Sequence, residues 1–156
     1  MKIKLLVVGK TSNSHLQSLI NDYVKRINHY IKFEITMINN VKLKKINPFD
    51  LRKLEGNNIL KKINEKDLVF LLDEKGTSYS SIQFSNFIKK NIIIKSKDII
   101  FVIGGAQGFS KELYNRCNSQ ISFSKMTTSH QLIRLFLAEQ LYRAFTILNN
   151  NPYHNE

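Results

Sequence analysis

The feature that most restricts this chain is a set of short apolar runs, each followed by residues spaced for a helix. The run 3–8 is mostly apolar and stops at Gly9. Leu68-Val69-Phe70-Leu71-Leu72 lies between Asp67 and Asp73, and Ile99-Ile100-Phe101-Val102-Ile103 stops at Gly104-Gly105. Runs of this length with little polar alternation read as strands covered on both faces. Residues 33–38 alternate and read as another strand, and 120–124 as a fifth, less apolar one. Leu16, Leu19, Ile20, Tyr23, Val24, Ile27 and Tyr30 predict a helix over 13–31. Further helices are expected at about 49–64, from Ser80-Ser81 to about Lys90, from Ser110 onward, and over 130–149. Residues 40–49 and 73–78 read as polar loops and 150–156 as an irregular tail. Strands alternating with helices predict an α/β fold, a mostly parallel sheet sandwiched by helices. Ligands bind such sheets outside the carboxyl ends of the strands. Attention therefore falls on Leu72-Asp73, Gly104-Gly105 and 123–129.

The 156 residues, 42% hydrophobic and 23% charged, suit one folded domain and exclude disordered and fibrous classes. The lone Cys117 cannot form an intramolecular disulfide, and a reducing, cytoplasmic compartment is expected. No apolar run approaches the roughly 18 residues that span a bilayer. The run 3–8 is also too short for a signal peptide. With 24 basic and 12 acidic side chains the net charge is +12. Residues 1–66 carry 14 of the basic and five of the acidic ones, with Lys42, Lys44 and Lys45 the densest cluster. Such a field attracts polyanions, and a nucleic-acid partner would explain it; solubility alone is the other reading.

On a helical wheel, Ile133, Ala144, Leu137, Leu148, Leu141, Arg134, Phe145 and Ala138 form one arc of the last helix, apolar except for Arg134. The opposite side still carries Leu132, Leu135, Phe136, Tyr142 and Ile147. A helix apolar on both sides is buried on both, either within the monomer or against a second subunit, of which a two-fold dimer is the commonest form. Arg134 needs a partner, because an unpaired buried charge is costly. The alternatives are Glu139 or Asp73 in the same chain, or an anionic ligand.

Gly104-Gly105-Ala106-Gln107-Gly108 lets the backbone turn sharply and approach a ligand. It lacks the dinucleotide-binding spacing and the Gly-Lys-Ser/Thr of a phosphate loop. His15, His29, His130 and His154 show no metal-ligand spacing, so no metal is expected. A serine nucleophile elbow and a paired-carboxylate site are absent.

Several segments together carry a resemblance. They are Lys2-Ile3-Lys4 into Val7-Val8-Gly9-Lys10, Leu71-Leu72-Asp73-Glu74-Lys75-Gly76, and Phe101-Val102-Ile103-Gly104-Gly105-Ala106-Gln107-Gly108. Ser122-Phe123-Ser124-Lys125-Met126-Thr127-Thr128-Ser129-His130, Leu137-Ala138-Glu139-Gln140-Leu141-Tyr142-Arg143-Ala144 and Pro152-Tyr153-His154 follow. In order and spacing the whole chain closely resembles the RlmH family, the 23S ribosomal RNA pseudouridine N3-methyltransferases of the SPOUT class. The chain departs from that pattern at Thr128-Ser129-His130, where many members have Phe-Pro-His or Leu-Pro-His.

The resemblance implies a single SPOUT domain over 1–156 with a C-terminal trefoil knot, a homodimer, and S-adenosylmethionine as cofactor. It places the cofactor against Leu72, Gly104, Phe123, Ser124, Lys125, Met126, Thr127 and Thr128. It implies as substrate 23S ribosomal RNA, read on the assembled ribosome, with no membrane partner. Methyl transfer to N3 requires the imide proton to leave, helped by a general base or by a cation that stabilises the anion. His154 and Tyr153 in the tail, and Arg134 and Arg143 in the last helix, are the candidates. Two other functions remain open on sequence: a non-catalytic ribosome-binding factor, and a SPOUT methyltransferase acting on transfer RNA.

Overall fold

Every strand pairing among the described residues is parallel, as the unbroken apolar runs require. The protein's structure is a computed structural model that describes residues 1–94 and 96–155. Strands β1 (Lys2–Val8), β2 (Lys32–Ile38), β3 (Leu68–Ser78), β4 (Ile99–Ile103) and β5 (Ser119–Ser122) lie in the order β2-β1-β4-β3-β5. β1 is an inner strand, with Leu5 opposite both Ile35 and Phe101. The period-2 geometry of a strand splits its side chains between two cores. Ile3, Leu5 and Val7 point into one, with Phe70, Phe101 and Ile121. Leu6 and Val8 point into the other, with Val69, Leu71, Ile100 and Val102.

Helices α1 (Ser14–Ile27), α3 (Ser81–Ile88) and α5 (Leu132–Leu148) cover the first face through Ile27, Phe84, Ile88, Leu137, Leu141 and Phe145. Helices α2 (Pro48–Leu60) and α4 (Lys111–Arg116) cover the second through Ile59 and Leu113. Their starts follow from local chemistry. Asn13 Oδ1 accepts from the His15 and Leu16 amides. Asn47 caps α2 in front of Pro48, a residue suited to a first helical turn. Ser80 and Gln83 form a reciprocal capping box on α3.

Several boundaries differ from the sequence expectation. α1 stops at Ile27 rather than continuing to 31, because Asn28 bonds Val24 O and both the N–H and C=O of Phe33. This knots the helix end to the start of β2, and Tyr30 then stacks on Phe145 from outside the helix. α3 runs on into a π-helical segment, Lys89–Ile94. Residues 73–78, expected as a loop, belong to β3. Leu72 and Thr77 both register with Ile121, so the strand bulges out and rejoins β5. Gly76 makes that close approach possible: a Cβ there would lie 2.5 Å from the Gln120 carbonyl carbon and 2.6 Å from the Ile121 nitrogen. β5 ends at Ser122, which leaves Phe123 and Ser124 in the following loop. Glu156, the end of the expected tail, lies outside the described residues.

α5 packs on the sheet with α1 and α3 on either side of it, and this intrachain packing accounts for much of its apolar surface. Leu132 and Phe136 nevertheless remain about half exposed, at 54% and 45%. Ser129 starts the helix, its hydroxyl accepting from the Leu132 amide at 3.1 Å. Arg134 is buried and pairs with neither Glu139 nor Asp73. Its Nη2 donates to Val8 O at 2.8 Å and its Nη1 to Thr11 Oγ1 at 3.1 Å. Burial lowers its pKa. Among the described residues no helix is long and apolar enough to cross a membrane.

Gly76→Ala is expected to cost about 1–3 kcal/mol by driving a methyl into the β5 backbone. Thermal melting should then fall by several degrees, at roughly 2–4 °C per kcal/mol for a domain of this size. An unchanged melting temperature would mean β3 and β5 do not close as described.

Candidate active site

The parallel strands place the bulge of β3, between Leu72 and Thr77, on the same side of the sheet as the carboxyl ends of β4 and β5, and a cavity of about 360 Å³ opens there. The three segments singled out from sequence all reach it: Leu72, which lies within β3 rather than at its end, Gly104 from the end of β4, and Phe123, Ser124, Met126, Thr127 and Thr128 from the loop after β5. Lys125 is the one expected cofactor residue absent from the lining. Ile103, Phe109, Ile121 and Ile133 add apolar wall; Asp73, singled out from sequence with Leu72, adds a polar group, as do Glu74, Tyr114 and His130.

The walls are held by hydrogen bonds within the chain. Ser122 Oγ donates to Ser124 O, and Ser124 Oγ accepts from the Met126 amide, which folds the loop back on itself. Thr127 Oγ1 donates to Glu74 Oε2 at 2.8 Å, joining this loop to β3. Asp73 Oδ1 accepts from the Lys75 amide and its Oδ2 from the Tyr114 hydroxyl at 2.6 Å. Burial, followed by that bond and the charge of Asp73, pushes the Tyr114 phenol up to about 12. Asp73 is thereby a structural acceptor. Between Gly104 and Gly108 the chain makes a tight turn, closed by the Gly108 amide on Gly105 O, with Gly108 at φ +77°. A Cβ on Gly104 would lie 3.1 Å from the Phe109 ring, so the lining there is bare backbone.

Three of the four candidate catalytic residues form a second cluster at the other end of α5. Glu139 Oε1 accepts from Arg143 Nη2 at 2.6 Å, Arg143 Nε at 3.0 Å and the Tyr153 hydroxyl at 3.2 Å. Gln140 donates to the other oxygen at 2.7 Å. The guanidinium carbon lies 4.7 Å from the centre of the Tyr153 ring. Arg143 Nη1 stands 3.2 Å from His154 Nδ1. Guanidinium only donates, so His154 accepts at Nδ1. The bonds to Glu139 hold the Arg143 pKa above its ordinary value. The Tyr153 phenol is raised by burial, by its contact with Tyr23 and by Glu139. At neutral pH Tyr153 is therefore a donor rather than a base. Arg134, the fourth candidate, is not in this cluster; it is spent on the loop after β1.

Comparison with known proteins shows the family and the fold. A family model described as a predicted SPOUT methyltransferase matches residues 1–154. The chain belongs to the SPOUT methyltransferase family. A Flavobacterium psychrophilum protein called ribosomal RNA large subunit methyltransferase H is 47% identical over 157 aligned positions, covering all of both chains. A protein of the same name from Christiangramia forsetii is 50% identical over 156, covering 99% of each. The solved structure of a probable methylase family protein from Haemophilus influenzae matches with a TM-score of 0.55 at 14% identity, over 99% of this chain and 70% of that one. That last likeness is one of fold alone.

In this SPOUT chain neither cluster includes a metal site: among the described residues no three His, Cys, Asp or Glu side chains gather for one. Glu139 is the residue that organises the second cluster. Glu139→Ala should cost about 1–3 kcal/mol in denaturant unfolding and release the tail, read as faster amide hydrogen exchange at 153–155. Unchanged exchange would mean the tail is held by something else.

Proposed function

We propose that this protein transfers a methyl group from S-adenosylmethionine to N3 of a pseudouridine in 23S ribosomal RNA, on the assembled ribosome in the cytoplasm, as a homodimer. The observation that carries this reading is the convergence of Leu72, Gly104 and the 123–128 loop on one cavity. Full-length relatives named for methylation of large-subunit ribosomal RNA support the substrate.

The cavity fits an adenosine-containing cofactor by its chemistry. Bare backbone at Gly104 and in the 123–128 loop offers amides and carbonyls, while Leu72, Ile103, Ile121 and Ile133 offer apolar wall. Lys125, outside the lining, is a poorer candidate than its neighbours. The cofactor supplies an electrophilic methyl on a sulfonium, and displacement there needs chiefly a nucleophile held in line. Arg143, kept charged and aimed by Glu139, is suited to stabilise the anion left when N3 loses its proton. Tyr153, protonated, and His154 frame the guanidinium. Arg134 serves as a positioning residue for the start of α5.

Ile133 borders the cavity and Arg143 lies ten residues further along one helix, about 15 Å at 1.5 Å per residue. A single chain therefore keeps its cavity and its Arg143 cluster apart. A two-fold dimer built on α5, using the exposed Leu132 and Phe136, would bring one subunit's cluster to the other's cavity. The chain from 123 to 131 crosses the sheet edge, touching Glu74 and then Lys10 O. This path supports the trefoil knot, which would leave a shortened contour when the termini are pulled apart mechanically.

RNA contact falls to the basic N-terminal half. Lys42, Lys44, Lys45 and Lys53 are exposed on and just before α2, as are Leu43 and Phe49. Basic side chains grip phosphates and an aromatic ring can stack on a base.

Calorimetry should show S-adenosylmethionine binding, lost in Gly104→Val, and labelled methyl should appear in 23S RNA of wild-type incubations. Removal of 152–156 should abolish transfer and spare binding. Salt-sensitive ribosome binding without methyl incorporation would contradict the enzyme reading, and label in transfer RNA would contradict the substrate.

A further inference from the structure

One buried acidic side chain belongs to neither cluster. Glu55, on the inner side of α2, is only 7% exposed, and its Oε2 has no hydrogen-bond partner among the described residues. Both carboxylate oxygens press on the turn that walls the cavity. A Cβ on Gly105 would lie 2.8 Å from Oε2 and 3.3 Å from Oε1. The next residue, Gly56, lets α2 sit directly on Ser110 at the far end of the same loop. α2 thus backs the whole of the 104–110 segment, with a carboxylate at its centre.

A buried carboxylate without donors costs stability, and an apolar side chain of similar size would be neutral or better. Burial alone raises its pKa, with no compensating partner. Groups that a fold would be more stable without are commonly retained for function. The turn at Gly105 lies against this carboxylate, and its peptide N–H is a donor. In a trans peptide the N–H and the preceding C=O point in opposite directions. An N–H turned back to Glu55 therefore turns a carbonyl forward into the cavity, where it can accept from the cofactor.

We propose that Glu55 is a positioning residue for cofactor binding: its carboxylate receives the Gly105 N–H when the cavity fills, and so aims the Gly104 carbonyl of the same peptide at the cofactor, Gly105 O being already taken by the Gly108 amide. This rests on the reading of the cavity as an S-adenosylmethionine site.

The test uses the intact protein, with binding calorimetry and thermal melting read together on Glu55→Gln and Glu55→Met. Melting temperature should hold or rise in both. The dissociation constant for S-adenosylmethionine should rise about tenfold or more in Glu55→Met, as expected for loss of charged hydrogen bonds. Glu55→Gln keeps one acceptor oxygen and should fall between Glu55→Met and the wild type. KM for the cofactor should rise with the dissociation constant while kcat at saturation stays close to wild type. Gly105→Ala, which pushes a methyl against the carboxylate, should weaken binding too, and its effect should not add to that of Glu55→Met. Raised melting temperature with affinity within twofold of wild type in both Glu55 variants would overturn the proposal. Should Glu55→Met fail to fold, the isosteric Glu55→Gln decides alone. If the wild type does not bind the cofactor, the cavity reading itself fails, a result distinct from a silent Glu55.

Discussion

The guanidinium of Arg134 fixes the last helix against the end of β1, and helix geometry then determines where its chemistry ends. Buried against the sheet, it donates to Val8 O and Thr11 Oγ1 at the end of β1. Those bonds tie α5 to the one strand that pairs with both β2 and β4. From that anchor the helix runs as a rod. Its first turn borders the cavity through Ile133, and its fourth carries Arg143 to the Tyr153 and His154 tail. Acceptors meet both terminal nitrogens of this buried guanidinium, while its Nε has no hydrogen-bond partner among the described residues.

The cavity follows from the parallel sheet. Parallel strands put all their carboxyl ends on one edge, so loops distant in sequence share one opening. What distinguishes this edge is how its acidic groups are used. Asp73 is occupied by Tyr114 and a backbone amide, and Glu74 by Thr127. These acidic groups at the rim are therefore structural ties that hold β3, α4 and the 123–128 loop at a fixed spacing. Backbone is left to face whatever the cavity takes. Glu55, with no tie of its own, is the exception behind the wall.

Much of this was legible in the residues. The apolar runs marked β1, β3 and β4 because a doubly covered strand needs side chains of one kind on both faces. Their glycine and acidic ends marked the cavity. The boundary errors share one cause, which is tertiary partners that local pattern does not contain. Asn28 ends α1 early by reaching Phe33, and β5 draws the polar stretch 73–78 into a bulged strand. Arg134 was visible as an anomaly, but its acceptors are a backbone carbonyl and a threonine more than 120 positions away, which no charge pattern reports. Tyr114 and Glu55 were missed for the same reason. The one clue to Glu55 was an acid directly before a glycine in a helix, a pair that makes sense only once Gly105 and Ser110 lie against it.

The central claim is that the cavity of one subunit works with the Arg143 cluster of the other. It is tested most directly by co-expressing differently tagged Gly104→Val and Arg143→Ala chains, isolating the mixed dimer, and measuring methyl transfer to ribosomal RNA. Each parent dimer should be inactive, and the mixed dimer should regain about half the wild-type rate, because one of its two sites is then whole. A mixed dimer as inactive as its parents would place cavity and cluster in the same subunit and contradict the account.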